Sequence, residues 1–219
     1  MDEPNVERGG WSSVYRLDLG ERAYYLKRQS NHLTRTLARP FGEPTFAREF
    51  RNIQRYQSLG IPALRAAFFA QRRVAGEQRA VLLTSALDGW EDLYALYQRW
   101  SELSPDYRRA VIHASAELAR RLHAAGQVHG CFYPKHIFLR GDDRGCEACL
   151  IDLEKTRPLL WGRRDRVRDL ETLIRRADPW TREDIFAFVA TYLHVSTESA
   201  SVAQWVSRLD RRRHDKEKG

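Results

Sequence analysis

Four stretches in the first part of the chain show the short apolar runs or the alternation of apolar and polar residues that is typical of β-strands. Gly20 and Glu21 separate the first two stretches, and a polar segment around Gly76 separates the other two. The strand-like stretches are residues 11–19, 22–29, 66–70 and 79–85. The pattern therefore predicts two pairs of strands, each joined by a turn.

A helical pattern lies between the two pairs of strands. Phe46, Phe50 and Ile53 recur with the spacing of one helix face. Pro44 suits a first helical position, and Gly60 is a helix-ending residue at the far end of the pattern. A single amphipathic helix between Pro44 and Gly60 is therefore expected to pack on the strands.

The second half of the chain is mainly helical by pattern. The clearest helix starts with Ser104 as N-cap and Pro105 at the first helical position, and it ends before Gly126. Its apolar stripe comprises Val111, Ala114 or Ser115, Leu118 and Leu122. Shorter helical patterns cover residues 90–100 and 166–174. These patterns predict a strand-rich first part and a helical second part, which is an α+β arrangement.

Composition and charge restrict the classes of partner. With 219 residues, of which 42% are hydrophobic, the chain can bury a sizeable core in one domain or in two small lobes. Its 37 Lys and Arg against 29 Asp and Glu give a net charge of +8. Such a surface attracts nucleic acid, anionic lipid headgroups or phosphorylated sugars. Nucleic acid is disfavoured as a partner, because no zinc, helix-turn-helix or RNA-binding motif accompanies the charge.

Arginine supplies most of this positive charge, and several arginines lie close together in the sequence. Its guanidinium group binds phosphate or carboxylate through two parallel hydrogen bonds, which lysine cannot match. The alternative is a solvated surface on which the arginines pair with the many acids. The clusters are formed by Arg163, Arg164, Arg166, Arg168, Arg175, Arg176 and residues 211–213.

The sequence features that govern localisation predict a cytoplasmic protein. The sequence contains no apolar run of about 18 residues, as a transmembrane helix requires, and its acidic start lacks the features of a signal peptide. Three cysteines do not make a disulfide framework. Cys146 and Cys149 have zinc-like spacing, but no second pair of ligands lies at a suitable distance, so a zinc or redox role is disfavoured.

Two later segments resemble the catalytic loop and the metal-binding strand of kinases. Kinases carry H-R-D-x-x-x-x-N, where the Asp accepts the substrate proton and the Asn holds a metal ion, followed by D-F-G, whose Asp holds another metal. His129 occupies the first place, Cys131 stands at the Asp, His136 stands at the Asn, and Asp152 opens the second motif. The segments are residues 128–139 and 150–154.

Each of these residues has a functional and a structural interpretation. Asp152 lies between apolar residues and is predicted to be embedded in a strand, where a buried carboxylate needs a cation or several donors, so a metal-binding role is favoured. His136 is a candidate metal ligand, and a hydrogen-bonded structural histidine is the alternative. His129 is expected to be structural.

A candidate nucleotide site precedes the loop in the chain. Lys27 ends an apolar run that resembles the third kinase strand, whose lysine holds the ATP phosphates and pairs with a glutamate of the following helix. Glu49 lies beside the stripe of the predicted helix and is the natural partner. Gly9 and Gly10 occupy the place of a glycine-rich phosphate loop, although glycine pairs alone usually mark turns. Lys27, Glu49 and Asp152 are therefore predicted to converge on one site.

Taken together, these segments resemble the bacterial lipopolysaccharide kinase family, the Kdo/WaaP/InaA group, and most closely its InaA-like branch. The resemblance covers about residues 9–177. It implies an α+β, protein-kinase-like bilobal fold with a small antiparallel β-sheet N-lobe plus one helix and a mainly helical C-lobe. It also implies ATP and Mg as cofactors and a heptose or Kdo sugar of the inner core as acceptor. The matching segments are residues 25–28, 46–50, 129–139 and 150–155.

The resemblance also implies a division of the chain and a cellular site. Asp88 and Gly89 mark the break at which kinases bind adenine through backbone groups. The expected partner is a lipid-linked sugar or lipopolysaccharide core acceptor, and the basic charge suggests peripheral contact with the anionic inner face of the inner membrane. The predicted division is residues 1–87 for the N-lobe, 88–92 for the hinge, 93–210 for the C-lobe and 211–219 for a charged, frayed tail.

Cys131 is the position at which the chain departs from active members of the family, which usually keep the Asp. A thiol is mostly protonated at pH 7 and replaces a general base poorly. Lys135 is a candidate to neutralise the transferring phosphate. Three alternatives stay open: a slow kinase, a pseudokinase with a regulatory or scaffolding role, and a nucleic-acid-binding module, which is the least favoured.

The segment after Asp152 is short. Only residues 153–165 precede the next predicted helix, which leaves no room for the peptide platform of protein kinases, so a small molecule or a lipid-linked sugar is the expected substrate. By resemblance, Asp169 matches a helix aspartate that braces the catalytic loop through backbone amides. The alternative is an exposed helix acid beside arginines.

Overall fold

The protein divides into two compact units in a computed structural model that describes residues 5–7, 10–36 and 39–217. One unit comprises Met1–Asp88 and Asp152–Glu154, and the other comprises Gly89–Ile151 and Lys155–Gly219. The predicted lobes were continuous stretches of chain, whereas the segment 152–154 groups with the first unit. Asn52 Nδ2 donates a hydrogen bond of 2.7 Å to the carbonyl of Leu153, which ties this segment to the first unit. The proposed hinge role of residues 88–92 stays a prediction.

The first unit is built on an antiparallel sheet in the order β1-β2-β3-β7-β6. The two predicted pairs of strands are present: β2 and β3 pair from Trp11 opposite Ser30 to Leu19 opposite Arg22, and β6 and β7 are longer than predicted. A separate hairpin, β4 with β5, was not predicted. The elements are β1 (Asn5–Glu7), β2 (Gly10–Leu19), β3 (Arg22–Ser30), β4 (Leu33–Thr36), β5 (Arg39–Pro44), α1 (Thr45–Ser58), β6 (Ala66–Val74) and β7 (Glu77–Ser85).

Helix α1 packs its apolar face on this sheet, as its sequence pattern predicts. Phe46, Ile53 and Tyr56 are buried, and the ring of Phe50 stacks on Phe69 with centroids 4.5 Å apart. The helix begins one residue later than expected, because Pro44 ends strand β5 and serves as the N-cap.

The second unit is mainly helical, with short strands beside the helices. β11, β10 and β8 form one antiparallel sheet in that order, and β12 pairs with β9. The elements are β8 (Glu91–Asp92), α2 (Leu93–Gln98), α3 (Pro105–Ala124), β9 (Gln127–Val128), β10 (Ile137–Asp142), β11 (Gly145–Leu150), β12 (Arg157–Pro158), α4 (Arg163–Ile174), α5 (Arg182–Leu193) and α6 (Ala200–Glu217). One-turn 3₁₀ helices cover Trp100–Glu102, Pro134–His136 and Leu153–Lys155, the last of which spans both units.

Helix α3 is the central helix of the second unit, and its predicted start is confirmed. Ser104 Oγ accepts a hydrogen bond of 3.0 Å from the backbone N–H of Tyr107, and Pro105 occupies the first helical position. The predicted stripe is buried, with Val111 and Leu118 among the core residues. The helix ends before Gly126, and its end leads into the loop of His129.

Two predicted elements differ from the structure. The stretch 90–100 was expected to be one helix, but Glu91 and Asp92 pair with strand β10, so α2 starts only after them. Residues 211–217 were expected to form a frayed tail, but they continue α6 to Glu217 as helix, since no Gly or Pro interrupts the polar, helix-compatible sequence. Among the residues that the structure describes, no helix combines the length and the apolar character needed to cross a bilayer.

Candidate active site

Lys27 and Glu49 form a direct ion pair in the first unit. Lys27 Nζ lies 2.6 Å from Glu49 Oε1, and the two side chains are only 17% and 3% exposed. Lys27 stands in register with Leu82 of the neighbouring strand, and directly opposite residues share one face of a sheet. The lysine therefore points to the sheet face that α1 covers, where Glu49 meets it.

Gln29 holds the same helix at a second point. Its Oε1 accepts the backbone N–H of Phe46 at 2.7 Å, and its Nε2 donates to the carbonyl of His32 at 2.5 Å. The N-cap Pro44 offers no side-chain acceptor, so Gln29 supplies the missing cap from strand β3. Residues two apart on a strand share a face, so Gln29 lies on the same face as Lys27. Sequence reasoning missed Gln29, because its bond to the helix joins residues distant in sequence and no motif marks it.

Asp152 lies in the first unit with Lys27 and Glu49, just beyond the end of a strand. Strand β11 ends at Leu150, so the prediction of an acid embedded in a strand is wrong. Asp152 has a left-handed backbone with φ 57°, a conformation that non-glycine residues rarely adopt and that is concentrated at functional sites. The bond from Asn52, on the same helix as Glu49, to Leu153 fixes the residue that follows Asp152.

Of the two glycines of the predicted phosphate loop, the structure describes only Gly10. Gly9 lies outside the described residues. Gly10 begins β2 and is buried, and a Cβ added there would come within 2.5 Å of the backbone of Asn31. Close backbone packing therefore explains the glycine at position 10 by itself, and the phosphate-binding role of Gly9 and Gly10 stays a prediction.

In the second unit, Asp169 of α4 braces the loop that starts at His129. Asp169 Oδ2 accepts the backbone N–H of His129 at 2.6 Å, and Oδ1 accepts that of Gly130 at 3.0 Å. The bracing role implied by the resemblance is thereby confirmed, and the alternative of an exposed helix acid is wrong because Asp169 is buried. His129 is fully buried, and its Nε2 donates to the carbonyl of Ile151 at 2.9 Å.

Gly130 occupies the place of the arginine in H-R-D. Its φ is +78°, and a Cβ at this position would lie 2.8 Å from the carbonyl oxygen of Lys155. Neither the backbone conformation nor the space accepts a side chain. The loop therefore approaches the backbone after Asp152 more closely than an arginine at this position would allow.

Cys131 and His136 are linked through the backbone of the loop. His136 Nδ1 lies 2.9 Å from the carbonyl oxygen of Cys131, which also accepts the N–H of Tyr133 at 2.7 Å. A carbonyl only accepts, so the histidine carries a proton on Nδ1. Metal-binding histidines commonly donate their other ring N–H to a backbone carbonyl, so this geometry fits a ligand role through Nε2 as well as the structural alternative. Cys131 is only 7% exposed.

A metal ion held by protein side chains alone would need a cluster of ligands. Among the described residues, no group of three or more His, Cys, Asp or Glu side chains is arranged to hold a metal ion. Magnesium in phosphoryl-transfer sites is usually held by one or two carboxylates together with substrate phosphates, so this finding leaves the roles predicted for Asp152 and His136 open.

Cys146 and Cys149 do not form a paired site. Both lie on strand β11, where residues three apart point to opposite faces, and all three cysteines of the chain are thiols. Burial raises the pKa of the Cys146 thiol to about 11, which keeps it protonated at neutral pH. The expectation against a zinc or redox role stays a prediction.

A cavity of about 310 Å³ adjoins the loop within the second unit. The Arg176 guanidinium lies over the ring of Tyr133 at 4.4 Å, and its Nη1 donates to the carbonyl of Thr172 at 2.9 Å. Lys135 is exposed at the rim. Two aromatic rings and two cations therefore share one opening. Its lining consists of Tyr94, Tyr133, Pro134, Lys135 and Arg176.

The brace at Asp169 gives a stability prediction. Asp169→Ala leaves the buried amide of His129 and the part-buried amide of Gly130 without their acceptor, and each unsatisfied buried group costs about 1–3 kcal/mol. We expect the free energy of unfolding in urea to fall by about 2–5 kcal/mol. Asp178→Ala, at an exposed acid nearby in sequence, is the control and should change stability by less than about 0.5 kcal/mol. Equal stability of the two variants would contradict the bracing role.

Comparison with known proteins identifies the family of the chain. Residues 1–192 match the model of the lipopolysaccharide kinase (Kdo/WaaP) family. The chain belongs to this family. It is 31% identical to Protein InaA of Escherichia coli (strain K12) over 188 residues, which cover 84% of this chain and 86% of that protein. The resemblance to the InaA-like branch that the sequence indicated is thereby confirmed.

Two further relatives connect the family to kinases. The chain is 26% identical to lipopolysaccharide core heptose(I) kinase WaaP of Pseudomonas aeruginosa over 179 residues, covering 73% of this chain and 65% of that protein. A solved structure of WaaP in complex with acyl carrier protein aligns with a TM-score of 0.71 and 22% identity, covering 98% of this chain and 88% of that chain. The α+β, protein-kinase-like fold predicted from the sequence is therefore confirmed.

Within this family, the predicted site residues fall into two groups. Lys27 and Glu49 are in direct contact, and Asp152 belongs to the same unit. Cys131, Lys135 and His136 lie together on the loop of the second unit. The roles assigned to all of them remain predictions.

Proposed function

We propose that this protein binds ATP with Mg and transfers the γ-phosphoryl group to a hydroxyl of an inner-core lipopolysaccharide sugar, a heptose or Kdo. The observation that carries the proposal is the Lys27–Glu49 ion pair, with Asp152 in the same unit, in a chain of the lipopolysaccharide kinase family. A lysine held by a buried carboxylate is the arrangement with which kinases bind the ATP phosphates. ATP lies on the cytoplasmic side, so we place the protein at the inner face of the inner membrane.

The residues present fit this pair of cofactors. Lys27 would bind the phosphates of the nucleotide, and Glu49 keeps its ammonium group in position. Asp152 is the carboxylate that would hold magnesium in the first unit, and the Nε2 atom of His136 in the second unit is a separate candidate ligand. The bound nucleotide and metal supply the transferable phosphoryl group and neutralise its charge. Lys135, exposed on the loop, adds positive charge for the transferring phosphate.

The alternative is a pseudokinase that binds nucleotide without transferring phosphate and serves as a regulatory or scaffolding partner. A specific observation favours it: the place of the catalytic carboxylate holds the buried thiol of Cys131. General-base catalysis contributes roughly 10²- to 10⁴-fold, whereas positioning and charge neutralisation supply most of the rate of phosphoryl transfer. Loss of the base alone therefore gives a slow enzyme, and the proposed kinase is slow for this reason.

We assign the acceptor to the cavity beside the loop, which Tyr94, Tyr133, Lys135 and Arg176 line. Aromatic rings pack against the apolar faces of sugar rings, and the two cations bind phosphate or carboxylate groups of an inner-core sugar. Arg176 is held in place by Tyr133 and by the carbonyl of Thr172, so its guanidinium is preorganised.

Arg176→Ala should weaken acceptor binding with little effect on nucleotide binding. A hydrogen bond to a charged group contributes about 1.5–3 kcal/mol, which corresponds to roughly 10- to 100-fold in the dissociation constant for core oligosaccharide. Calorimetry measures this constant without any need for turnover. Arg144→Ala removes an exposed arginine from the turn between β10 and β11 and should leave it unchanged. If the parent and Arg176→Ala bind core oligosaccharide with equal affinity, the assignment of the acceptor to this cavity is wrong.

Transfer of labelled γ-phosphate from ATP and Mg²⁺ to inner-core oligosaccharide tests the function itself. Slow, acceptor-dependent labelling of the sugar supports the kinase. Metal-dependent nucleotide binding without labelling supports the pseudokinase. A protein that binds no nucleotide under any metal condition would contradict both.

A further inference from the structure

The segment between β12 and α4 exposes two adjacent large apolar side chains. Leu160 and Trp161 are 68% and 69% exposed, more than any other large hydrophobic side chain among the described residues. An exposed leucine and tryptophan do not contribute the favourable free energy that burial of their apolar surface would give.

This exposure is not the result of a loose loop. Asp165 Oδ2 accepts the backbone N–H groups of both Leu160 and Trp161 at 3.0 Å, and Arg157 makes a two-pronged ion pair with the same carboxylate at 2.6 and 2.9 Å. The backbone turns at Gly162, whose φ is +50°, and α4 begins at the next residue.

The charge state of Asp165 is consistent with this arrangement. The Arg157 guanidinium, together with the two backbone amides, holds the pKa of the Asp165 carboxyl well below its ordinary value. The carboxylate is therefore ionised at neutral pH, and the turn is fixed from both sides. We call the segment 158–164 the apolar tip.

The C-terminal end of the apolar tip and the first turns of α4 are basic. Arg163 and Arg164 follow the exposed tryptophan directly and are themselves exposed, and Arg168 is exposed one helical turn further on. Between residues 155 and 168 the only acid is Asp165, which is buried and paired with Arg157. The tip thus combines an apolar end with a stretch of sequence that carries exposed arginines and no exposed acid.

We propose that the apolar tip is a membrane anchor, which inserts Leu160 and Trp161 into the interfacial region of an anionic bilayer while Arg163 and Arg164 bind lipid phosphates. Tryptophan favours the interface between hydrocarbon and headgroups, and each arginine near an anionic surface adds attraction. A second copy of the chain fits less well, because two such tips would bring their arginine pairs together. Nucleic acid would use the arginines but would leave the apolar pair exposed. The anchor does not depend on catalysis.

Co-sedimentation of the full chain with vesicles tests this inference. The vesicles consist of phosphatidylcholine alone or of phosphatidylcholine mixed with phosphatidylglycerol. We expect the parent to bind only the anionic vesicles. The double variant Leu160→Ser and Trp161→Ser should bind at least about tenfold more weakly, since the burial of two apolar side chains is lost. Arg163→Glu with Arg164→Glu should weaken binding by more than about tenfold, at roughly fivefold for each lost positive charge.

Matched controls separate the tip from general effects of apolarity and charge. Leu19→Ser removes a leucine that is 62% exposed on the first unit, and Arg72→Glu with Arg73→Glu inverts an exposed arginine pair on β6. The leucine control should bind vesicles like the parent, and the inverted pair on β6 should weaken binding less than the inverted pair of the tip. All variants should keep the parent's thermal midpoint and nucleotide binding, which shows that they are folded.

Three outcomes would overturn the proposal. The first is that the parent does not sediment with anionic vesicles at low salt. The second is that the Leu160 and Trp161 variant sediments like the parent. The third is that the tip variants lose binding to soluble polyglutamate but not to vesicles, which would indicate an acidic protein as partner. Quenching by brominated lipids gives a second readout: replacement of Trp161 by Phe should remove most of the lipid-dependent quenching of the parent.

Discussion

Removing the charge of Lys27 or of Asp152 is expected to abolish metal-dependent binding of ATP. The parent, with ATP and Mg²⁺ at 100 times the dissociation constant, should gain about 2.7 kcal/mol of stability. For a chain of this size that corresponds to a rise of roughly 5–10 °C in the thermal midpoint. Neither variant should show this rise, because Lys27 is assigned to the phosphates and Asp152 to the metal.

The lysine variant needs a design that separates binding from stability. Lys27 neutralises Glu49, which is almost fully buried, and breaking a buried ion pair from one side costs about 3–5 kcal/mol. Lys27→Met alone would therefore lose stability for a reason unrelated to ATP. The double variant Lys27→Met with Glu49→Gln removes both charges, keeps the packing, and should be folded but unable to bind nucleotide.

The aspartate variant has its own backbone constraint. Asp152 adopts a left-handed conformation that asparagine accepts well and alanine accepts poorly, at a cost of about 1–2 kcal/mol. Asp152→Asn therefore removes the charge without adding strain and is the variant to compare with the parent. If Asp152→Asn and the Lys27 and Glu49 double variant both gain stability from ATP and Mg²⁺ like the parent, the nucleotide site has been assigned wrongly.

The elements that the sequence predicted well are those in which local pattern and tertiary role agree. The β2–β3 hairpin has period-two alternation around Gly20, and α3 starts with Ser104 and Pro105, so both are determined by nearby residues. The β4–β5 hairpin was missed because its pairing is irregular, with a register shift between Thr34 and Thr36. The stretch 90–100 was misjudged because strand β10 recruits Glu91 and Asp92, which local helical preference cannot reveal.

The candidate site, too, could be predicted only where local motifs determine it. The order of Lys27, Glu49 and Asp152 could be identified from motifs, because each motif has a fixed spacing and residue type. The bonds of Gln29 to α1 and the cavity that joins Tyr94 to Arg176 could not, since they connect residues that are distant in sequence and carry no motif. The left-handed backbone of Asp152 depends on tertiary constraint, and no local signal marks it, since aspartate is only moderately tolerant of this conformation.

Cys131→Asp is expected to raise the rate of phosphoryl transfer to inner-core sugar by up to roughly 10²- to 10⁴-fold, the contribution of a positioned base. The exchange is conservative in shape, and the loop is fixed by its backbone: the carbonyl of residue 131 accepts bonds from Tyr133 and His136, and Asp169 holds the two preceding amides. Because these bonds do not involve the thiol, the new carboxylate should replace it without rearranging the loop.

Cys131→Asn is the matched control, since it has the size of aspartate and cannot accept a proton as a base. If the carboxylate acts as the base, Cys131→Asp is faster than the parent and Cys131→Asn is not. If the protein is a pseudokinase, the parent and both variants bind nucleotide and transfer nothing, because the acceptor or metal geometry has been lost together with the base. A parent that is already fully active and is impaired by Cys131→Asp would overturn the interpretation of Cys131 as a missing base. Given the buried thiol at this position, we expect weak transfer by the parent and a clear gain on restoring the carboxylate.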